Sequence, residues 1–330
     1  MKALVTGANG FLGQTLVEQL VAGGQEVRAM TRKPCPALDA LGVEPFHGDL
    51  RERAACLQAT KGVDVVFHTG AISGIWGKWK LFFETNTLGT RHIVEGCRLH
   101  GVPKLIYTSS PSVTFDGRDQ VNVNETASYP ERWLCHYPHT KALAEQHVLA
   151  ANDSQGLLTC ALRPHLIWGP RDRHLVPRLL ARARSNQLRR VGDGKNRIDI
   201  IHVENAAKAH IQAATAMEPG TPVCGRAYFL SQGEPVNCWD WIDELLVLAG
   251  LKPLEKSISF PTAYRIGAVL EGAYKVLNLG GEPRMTRFLA AQLAKNHYFD
   301  ISQAKQDFGF SPHVSTTTGM EELAEHLAPR

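Results

Sequence analysis

The sequence predicts an α/β fold: a doubly wound parallel sheet with helices on both faces, joined to a smaller C-terminal lobe. Three observations carry this prediction. Ala3 to Thr6 read as a short buried strand that runs straight into Gly7, Gly10 and Gly13 at three-residue spacing, and an apolar helical pattern follows. Strand-like and helix-like runs then alternate, as crossover helices over a parallel sheet require. Beyond about residue 170 that alternation breaks down.

The glycine turn suits a pyrophosphate. Glycine permits a tight turn and lets a phosphate approach without a clash from Cβ. The helix behind it offers unpaired N–H groups and the positive end of its dipole. Placed directly after a strand, the spacing reads as a dinucleotide cradle and not as an ordinary glycine-rich connection. Residues 1–170 are therefore assigned to an NAD(P)-binding domain of the Rossmann type, with a further strand and helix from about 196 to 216. Residues 171–330 are assigned mainly to a substrate-binding lobe. Cofactor contacts are expected from Gly7, Asn9, Gly10, Phe11, Leu12 and Gly13.

The elements follow in order. Leu16, Val17, Leu20 and Val21 recur at helical spacing, and Gly23-Gly24 ends that helix. Gln25 to Met30 form a second strand, followed by Thr31-Arg32-Lys33. Dinucleotide folds place a carboxylate near this point to bind the adenosine ribose 2′-hydroxyl. Here a basic pair stands instead and could hold a 2′-phosphate, which favours NADP(H) and leaves NAD(H) as the alternative. Arg32 could equally stack on adenine or face water. Val43 to His47 form a third strand that ends in Gly48-Asp49-Leu50. Val63 to Thr69 are an unbroken apolar run suited to a buried parallel strand. Ile75 to Trp79 read as a loop whose two tryptophans either line an apolar cleft or pack against the domain. A helix over 80–100 carries Asn86, and Leu105 to Thr108 are a fifth strand leading into Ser109-Ser110. Ligands of such sheets sit at the carboxyl ends of the strands. The glycine turn, Asp49, Leu50, Thr69 and the serine pair are therefore expected to converge there.

Tyr137-Pro-His-Thr-Lys141 opens the next helical pattern. Tyrosine and lysine four residues apart share a helix face. A phenol titrates near 10, too high for easy proton exchange at neutral pH, and a neighbouring ammonium draws it down. Tyr137 would then serve as a general acid for a carbonyl or a base for an alcohol. Ser110, with Ser109 as runner-up, would hydrogen-bond the same oxygen.

These residues resemble the extended short-chain dehydrogenase/reductase family. Thr6-Gly-Ala-Asn-Gly-Phe-Leu-Gly13 is similar to its TGxxGxxG turn, Tyr137 and Lys141 to its YxxxK, Ser110 to its serine and Asn86 to its helix asparagine. The resemblance implies a catalytic tetrad of Tyr137, Lys141, Ser110 and Asn86, with Asn86 supporting a proton relay and Lys141 also binding the nicotinamide ribose. It further implies that Leu158 to Trp168 form a sixth strand passing the nicotinamide, with Pro164 and Ile167 as contacts. Within the family the similarity is to the 3β-hydroxysteroid dehydrogenase branch. It is carried by Ile106 to Val113, Ala161 to Pro170 and Ile198 to His210. Trp-Gly after the fourth strand and Pro-Ser-Val after the fifth resemble its bacterial members of long-chain olefin biosynthesis. Those reduce a 2-alkyl-3-oxoalkanoic acid to the 3-hydroxy acid. The implied activity is an NADPH-dependent reduction of that kind. The alternatives are an NAD-dependent 3β-hydroxysteroid or sterol-4-carboxylate dehydrogenase and a non-catalytic nucleotide-binding sensor. His165, and likewise His202 and His210, are weighed as substrate contacts against structural, backbone-bonded histidines, and Asp199, Asn205 and His210 are read as residues that fix a loop and helix.

Composition excludes several classes. Net charge is +4 from 36 basic and 32 acidic residues, too small and scattered for nucleic acid. The basic run from Arg178 to Arg190 reads as a solvated helix face, with a phosphate or acidic-substrate site as the alternative. Seven cysteines with no CxxC and no ligand spacing read as reduced thiols of a cytoplasmic protein without a metal. The turn begins almost at Met1, which leaves no room for a signal peptide. No apolar run reaches the ~18 residues of a spanning helix.

In the lobe, helices are expected over Leu175 to Leu188 and Trp239 to Ala249, a strand over Arg226 to Ser231, and a closing helix over 319–327. The apolar helix from Tyr264 to Leu279 has three readings: lobe core, a substrate-mouth or lipid-facing helix giving peripheral membrane contact, and a subunit contact. A large apolar small-molecule substrate and a homodimer complete the expectation.

Overall fold

Lys2–Thr6 (β1) lies in the middle of a parallel sheet, and its Ala3, Leu4 and Val5 are wholly buried. The computed structural model describes residues 1–153 and 155–328. Outward from β1 on one side come Glu26–Thr31 (β2) and Glu44–His47 (β3). On the other side come Val65–His68 (β4), Lys104–Thr108 (β5), Leu158–Pro164 (β6) and Arg226–Leu230 (β7). Among the described residues the sheet has seven strands in the order β3-β2-β1-β4-β5-β6-β7, all parallel. The chain reverses its winding between β1 and β4. A crevice opens at such a switch point, outside the carboxyl ends Thr6 and His68.

Each face is closed by crossover helices, as the alternation requires. On one face Phe11–Ala22 packs beside Val203–Ala216, burying Leu16, Val17 and Leu20 with Ala206 and Ala213. Each leucine or valine among them is worth about 1.5–3 kcal/mol when withdrawn from water. On the other face Arg53–Ala59, Gly89–Leu99 and His136–Ala150 bury Cys56, Ile93, Val94, Ala144 and Val148. The lobe has its own core around Trp168, Trp239, Ile242, Leu245 and Leu323.

Several elements differ from the sequence expectation. The strand expected from Leu158 to Trp168 is broken. β6 ends at Pro164, Leu166 turns the chain with φ 43°, and Ile167–Trp168 pairs with Ile201–His202 in a separate two-stranded sheet. Proline has no N–H to continue the ladder. Arg226–Leu230, expected in the lobe, is the outer strand of the main sheet, with Tyr228, Phe229 and Leu230 wholly buried. Its partner lies 66 residues earlier, Arg226 opposite Cys160, a pairing that no local pattern encodes. The helix expected over 80–100 starts at Trp79 and contains a π-helical stretch, Phe83–Leu88, before Gly89–Leu99. Gln120–Val123 and His297–Phe299 form a small unanticipated sheet beside Arg197–Ile198.

The apolar helix runs from Phe260 to Val276 and joins the lobe core only along one side, through Ala263 with Phe260 and Tyr264 packed against that core. Only Ala263, Gly267 and Glu271 along it are buried, and Val269 and Val276 are 70% and 84% exposed. On its inner side Gly267 lies against the backbone of Thr286 and Arg287, and Glu271 accepts from the Arg287 amide at 2.7 Å. No helix among the described residues is long and apolar enough to cross a membrane.

Candidate active site

Two adjoining cavities open at the carboxyl ends of the strands. The first, about 550 Å³, runs from the glycine turn past Arg32 and Asp49 to Thr69. Gly7 has φ 65°, and a Cβ there would sit 2.6 Å from the Cα of Gly70. A Cβ on Gly13 would collide with the carbonyl of Gly7. The turn is thus a cradle that side chains would fill, with the Gly10 amide donating to the Gly7 carbonyl at 2.8 Å. Its shape and its position before a helix N-terminus fit a dinucleotide pyrophosphate.

Asn9, Phe11 and Leu50 also line this groove, whereas Leu12 and Gly13 are buried behind it. Asp49 accepts three bonds from the Arg51 guanidinium, at 3.0, 3.2 and 2.7 Å. That pairing holds its carboxyl below the usual carboxylate range, with Arg32 adding to it. Beneath the groove, Thr90 donates to the carbonyl of Asn86 at 2.6 Å and so accepts from His68 Nε2 at 2.9 Å. His68 Nδ1 then accepts from the Thr6 hydroxyl at 2.6 Å. Burial pushes His68 down to about 3, and the neutral ring ties β1 to β4 at the switch point.

The helix His136–Ala150 brings Tyr137 and Lys141 to the crevice. Lys141 is buried, donates to the Thr108 carbonyl at the end of β5 at 2.5 Å, and lies 4.1 Å over the Tyr107 ring. Burial draws its ammonium down to about 7, and the Glu145 carboxylate one turn on opposes that. Burial raises the Tyr137 phenol, and the Ser110 hydroxyl lowers it. The sequence expectation made the ammonium the main influence on the phenol. In the fold the ammonium is seated on the strand carbonyl, and burial is the largest influence on the phenol.

Tyr137 and Ser110 face the second cavity, of about 720 Å³. Ser110 Oγ lies 2.8 Å from Ser112 Oγ. Ser109 is buried, donates its amide to the Leu162 carbonyl at 2.6 Å, and is not part of the wall. Asn86 stands in the π-helical stretch, a feature frequent at functional sites. Its Oδ1 accepts from the Ile72 amide at 2.8 Å. Its Nδ2 donates to the Ile72 carbonyl at 3.0 Å and to Thr140 Oγ1 at 3.2 Å. Both amide protons are used, so the side chain fastens the post-β4 loop to the helix that carries Tyr137 and Lys141.

The second cavity is walled mainly by apolar groups, including Ile75, Phe115, Leu175, Phe288 and Phe299. Pro164 belongs to this wall and not to the groove. Ile167 reaches neither; it pairs with Ile201 and packs on the domain core. Trp76 and Trp79 are packing residues, against Tyr274 and against Phe83 and His139. His165 and His297 form a directed pair. His297 Nε2 donates to the Gln292 carbonyl at 2.7 Å, and burial holds that ring neutral at about 4. Its Nδ1 therefore accepts from His165 Nε2 at 2.6 Å. His210 is bonded to Thr108 and the Ala206 carbonyl, away from the site. Asp199 accepts from the Phe299 amide, and Asn205 holds the His313 and Val314 amides.

Arg173 and His174 line both cavities. Neither is in the sequence expectation, although the charged run Arg171-Asp172-Arg173-His174 after a strand end is a local signal for them. Phe288, Gln292 and His297 left no such signal, because they reach the site from a distant segment. Arg178 and Arg182 of the basic run share the Glu282 carboxylate, and Arg190 pairs with Asp243. Among the described residues no group of three His, Cys, Asp or Glu side chains is placed to hold a metal ion.

Comparison with known proteins agrees with this geometry. The model of the 3-beta hydroxysteroid dehydrogenase/isomerase family matches residues 4–262. A 2-alkyl-3-oxoalkanoate reductase of Stenotrophomonas maltophilia is 47% identical over 325 residues, 98% of each chain. Another, from Shewanella oneidensis, is 46% identical over 98% of this chain and 86% of its own. The decarboxylating sterol-4-alpha-carboxylate 3-dehydrogenase of Mus musculus is 34% identical over 98% and 90%. Among solved structures, gox2253 superposes with a TM-score of 0.78 at 27% identity, covering 98% of each chain. The Thermus thermophilus UDP-glucose 4-epimerase complex with NAD gives 0.75 at 23% identity over 99% of each, a likeness of fold.

Proposed function

The chain belongs to the 3-beta hydroxysteroid dehydrogenase/isomerase family and is an NAD(P)-dependent oxidoreductase acting on a hydroxyl or keto group, and we propose that it reduces long-chain 2-alkyl-3-oxoalkanoic acids to the 3-hydroxy acids. The observation that carries the substrate reading is the placement of Ser110 and Tyr137 on one largely apolar cavity next to the glycine-turn groove. A substrate with a reactive oxygen on a large apolar body fits that arrangement.

The groove residues Gly7, Gly10, Asp49 and Thr69 would hold the dinucleotide, and when bound its nicotinamide supplies the hydride. Arg32 stands at the adenosine end without a competing carboxylate in its own turn, which supports NADP(H) over NAD(H). Tyr137 gives its phenolic proton to the substrate oxygen as that oxygen gains charge. Ser110 donates a hydrogen bond to the same oxygen and orients it. Lys141 holds positive charge behind the phenol from its seat on the Thr108 carbonyl. Asn86 keeps the loop and helix that carry these groups in register.

A second reading is the reverse reaction on a 3β-hydroxysteroid or sterol-4-carboxylate, supported by the 34% identical mouse relative. One experiment separates the two: turnover of NADPH, NADH and their oxidised forms against long 2-alkyl-3-oxo acids, 3-hydroxy acids and 3β-hydroxysteroids. Reduction of the oxo acids supports the first reading; turnover of steroids alone overturns it. A cytoplasmic site, a homodimer and peripheral membrane contact complete the proposal. The free thiols support the first, and the exposed apolar face of 260–276 supports the other two.

A further inference from the structure

We infer that Arg173 is the carboxylate-recognising residue of the substrate cavity, so that the enzyme selects its substrate as an anion. The inference deepens the proposed function and rests on that reading for the identity of the acid. Arg173 lies in the loop between Ile167–Trp168 and the helix Leu175–Arg184, and it lines both the groove and the substrate cavity. Its neighbours are fastened on both sides. Arg171 binds Glu18 through two bonds, at 2.6 and 2.7 Å. Asp172 accepts from the amides of His174, Leu175 and Val176 at 2.7, 3.2 and 2.7 Å. The backbone of Arg173 is thus set by its neighbours, while its own guanidinium has no ion-pair partner among the described residues. Arg171 and Arg178, by contrast, are both paired.

The charge around the cavity points the same way. Arg173, Arg178 and Glu282 are the Arg, Lys, Asp and Glu side chains in its wall. Glu282 is already shared by Arg178 and Arg182, so two guanidiniums meet one carboxylate. The paired histidines His165 and His297 add no charge, because burial keeps both neutral near pH 7. The wall is therefore net positive although it is mostly apolar. A neutral substrate gains nothing from that charge. A carboxylate buried without a partner is costly, and a guanidinium offers it two parallel bonds. In a 3-oxo acid the carboxylate is two carbons from the reacting carbonyl. With that carbonyl at Tyr137 and Ser110, the carboxylate lies within the same cavity, which Arg173 also walls.

The test compares a 2-alkyl-3-oxo acid with its methyl ester on wild type, Arg173→Gln and Arg173→Lys. Both ligands are titrated into the NADP⁺-loaded protein by tryptophan fluorescence, and turnover with NADPH is measured in parallel. In wild type the acid is expected to bind more tightly than the ester. Arg173→Gln is expected to weaken acid binding roughly 10- to 100-fold, as loss of a charged hydrogen-bonded contact does. Ester binding and the coenzyme Kd stay within about twofold, and Arg173→Lys recovers part of the acid preference. Equal weakening of acid and ester, a raised coenzyme Kd, or no change in acid binding overturns the inference. Failure of wild type to turn over the acid, with the binding difference intact, overturns the proposed reaction and leaves the carboxylate site standing.

Discussion

The Lys141 ammonium donates to the main-chain carbonyl of Thr108 at 2.5 Å, which ties the helix His136–Ala150 to the end of β5. Burial brings that ammonium down to about 7. A lysine with a lowered pKa is charged below it and neutral above it. The support it gives the phenol is therefore present below about pH 7 and lost as the pH rises through that value. The pH profile of reductive kcat/KM should fall on its alkaline side with a midpoint near 7, and Lys141→Met should abolish that limb along with most of the activity. An alkaline limb that survives in the Met variant would assign the titration elsewhere.

Tyr137→Phe keeps the ring and removes the proton. Turnover should drop by about 10²- to 10⁴-fold, the usual range for a lost general acid. Coenzyme affinity, read by NADPH fluorescence, should stay within a few-fold. Ser110→Ala should cost about 10²- to 10³-fold, as loss of one oxyanion donor does. Ser109→Ala should cost far less, because Ser109 is outside the cavity wall.

Arg32→Ala tests the coenzyme proposal. It should raise the NADPH KM by roughly tenfold, the worth of one charged hydrogen bond, and leave the NADH KM nearly unchanged. Equal effects on both coenzymes would move Arg32 to the adenine or to solvent.

Glu145 and Arg163 form a buried ion pair beneath the site, at 3.0 and 2.6 Å, and Tyr129 donates to the same carboxylate at 2.6 Å. Removing one member leaves a buried charge alone. Glu145→Gln and Arg163→Met should each destabilise the fold by about 3–5 kcal/mol, and the double variant by less than their sum. Urea denaturation of the three proteins measures this directly.

Acid should unfold the protein steeply. Burial lowers His202, His210 and His297 to about 4 and His68 to about 3, from an ordinary 6.5. Their folded values lie below their unfolded ones, so the unfolded chain binds more protons between these limits. Stability present above pH 6.5 is lost as the pH falls toward 4, by up to about 1.4 kcal/mol per pH unit for each ring. Asp199, raised to about 6, opposes this in part, since its folded form takes up a proton first. Unfolding midpoints across pH 4 to 7 measure the slope, and His297→Gln should flatten it.

Much of the site was legible because its chemistry is written in short stretches. Residues 1–13 declare a strand, a glycine turn and a helix start, and backbone freedom at Gly7 is a local property. Tyr137 and Lys141 share a helix face by spacing alone. Other assignments needed the packed chain. The break after Pro164 depends on Leu166 turning into the left-handed region, and the expected contact at Ile167 is lost to its pairing with Ile201. The helix over 260–276 is apolar enough to read as core, yet it packs along one side only and leaves Val269 and Val276 exposed.

The sequence by itself determined the glycine turn between strand and helix, the strand–helix alternation and the placing of Tyr137 and Lys141 on one helix, because each rests on conformational preferences within a few residues. The tertiary structure decided that Arg226–Leu230 closes the main sheet, that Phe288 and His297 wall the apolar cavity with Tyr137, and that Arg173 lines both cavities. Those facts depend on which distant surfaces exclude water from each other, and a side chain carries no mark of its partner until the chain has folded around both.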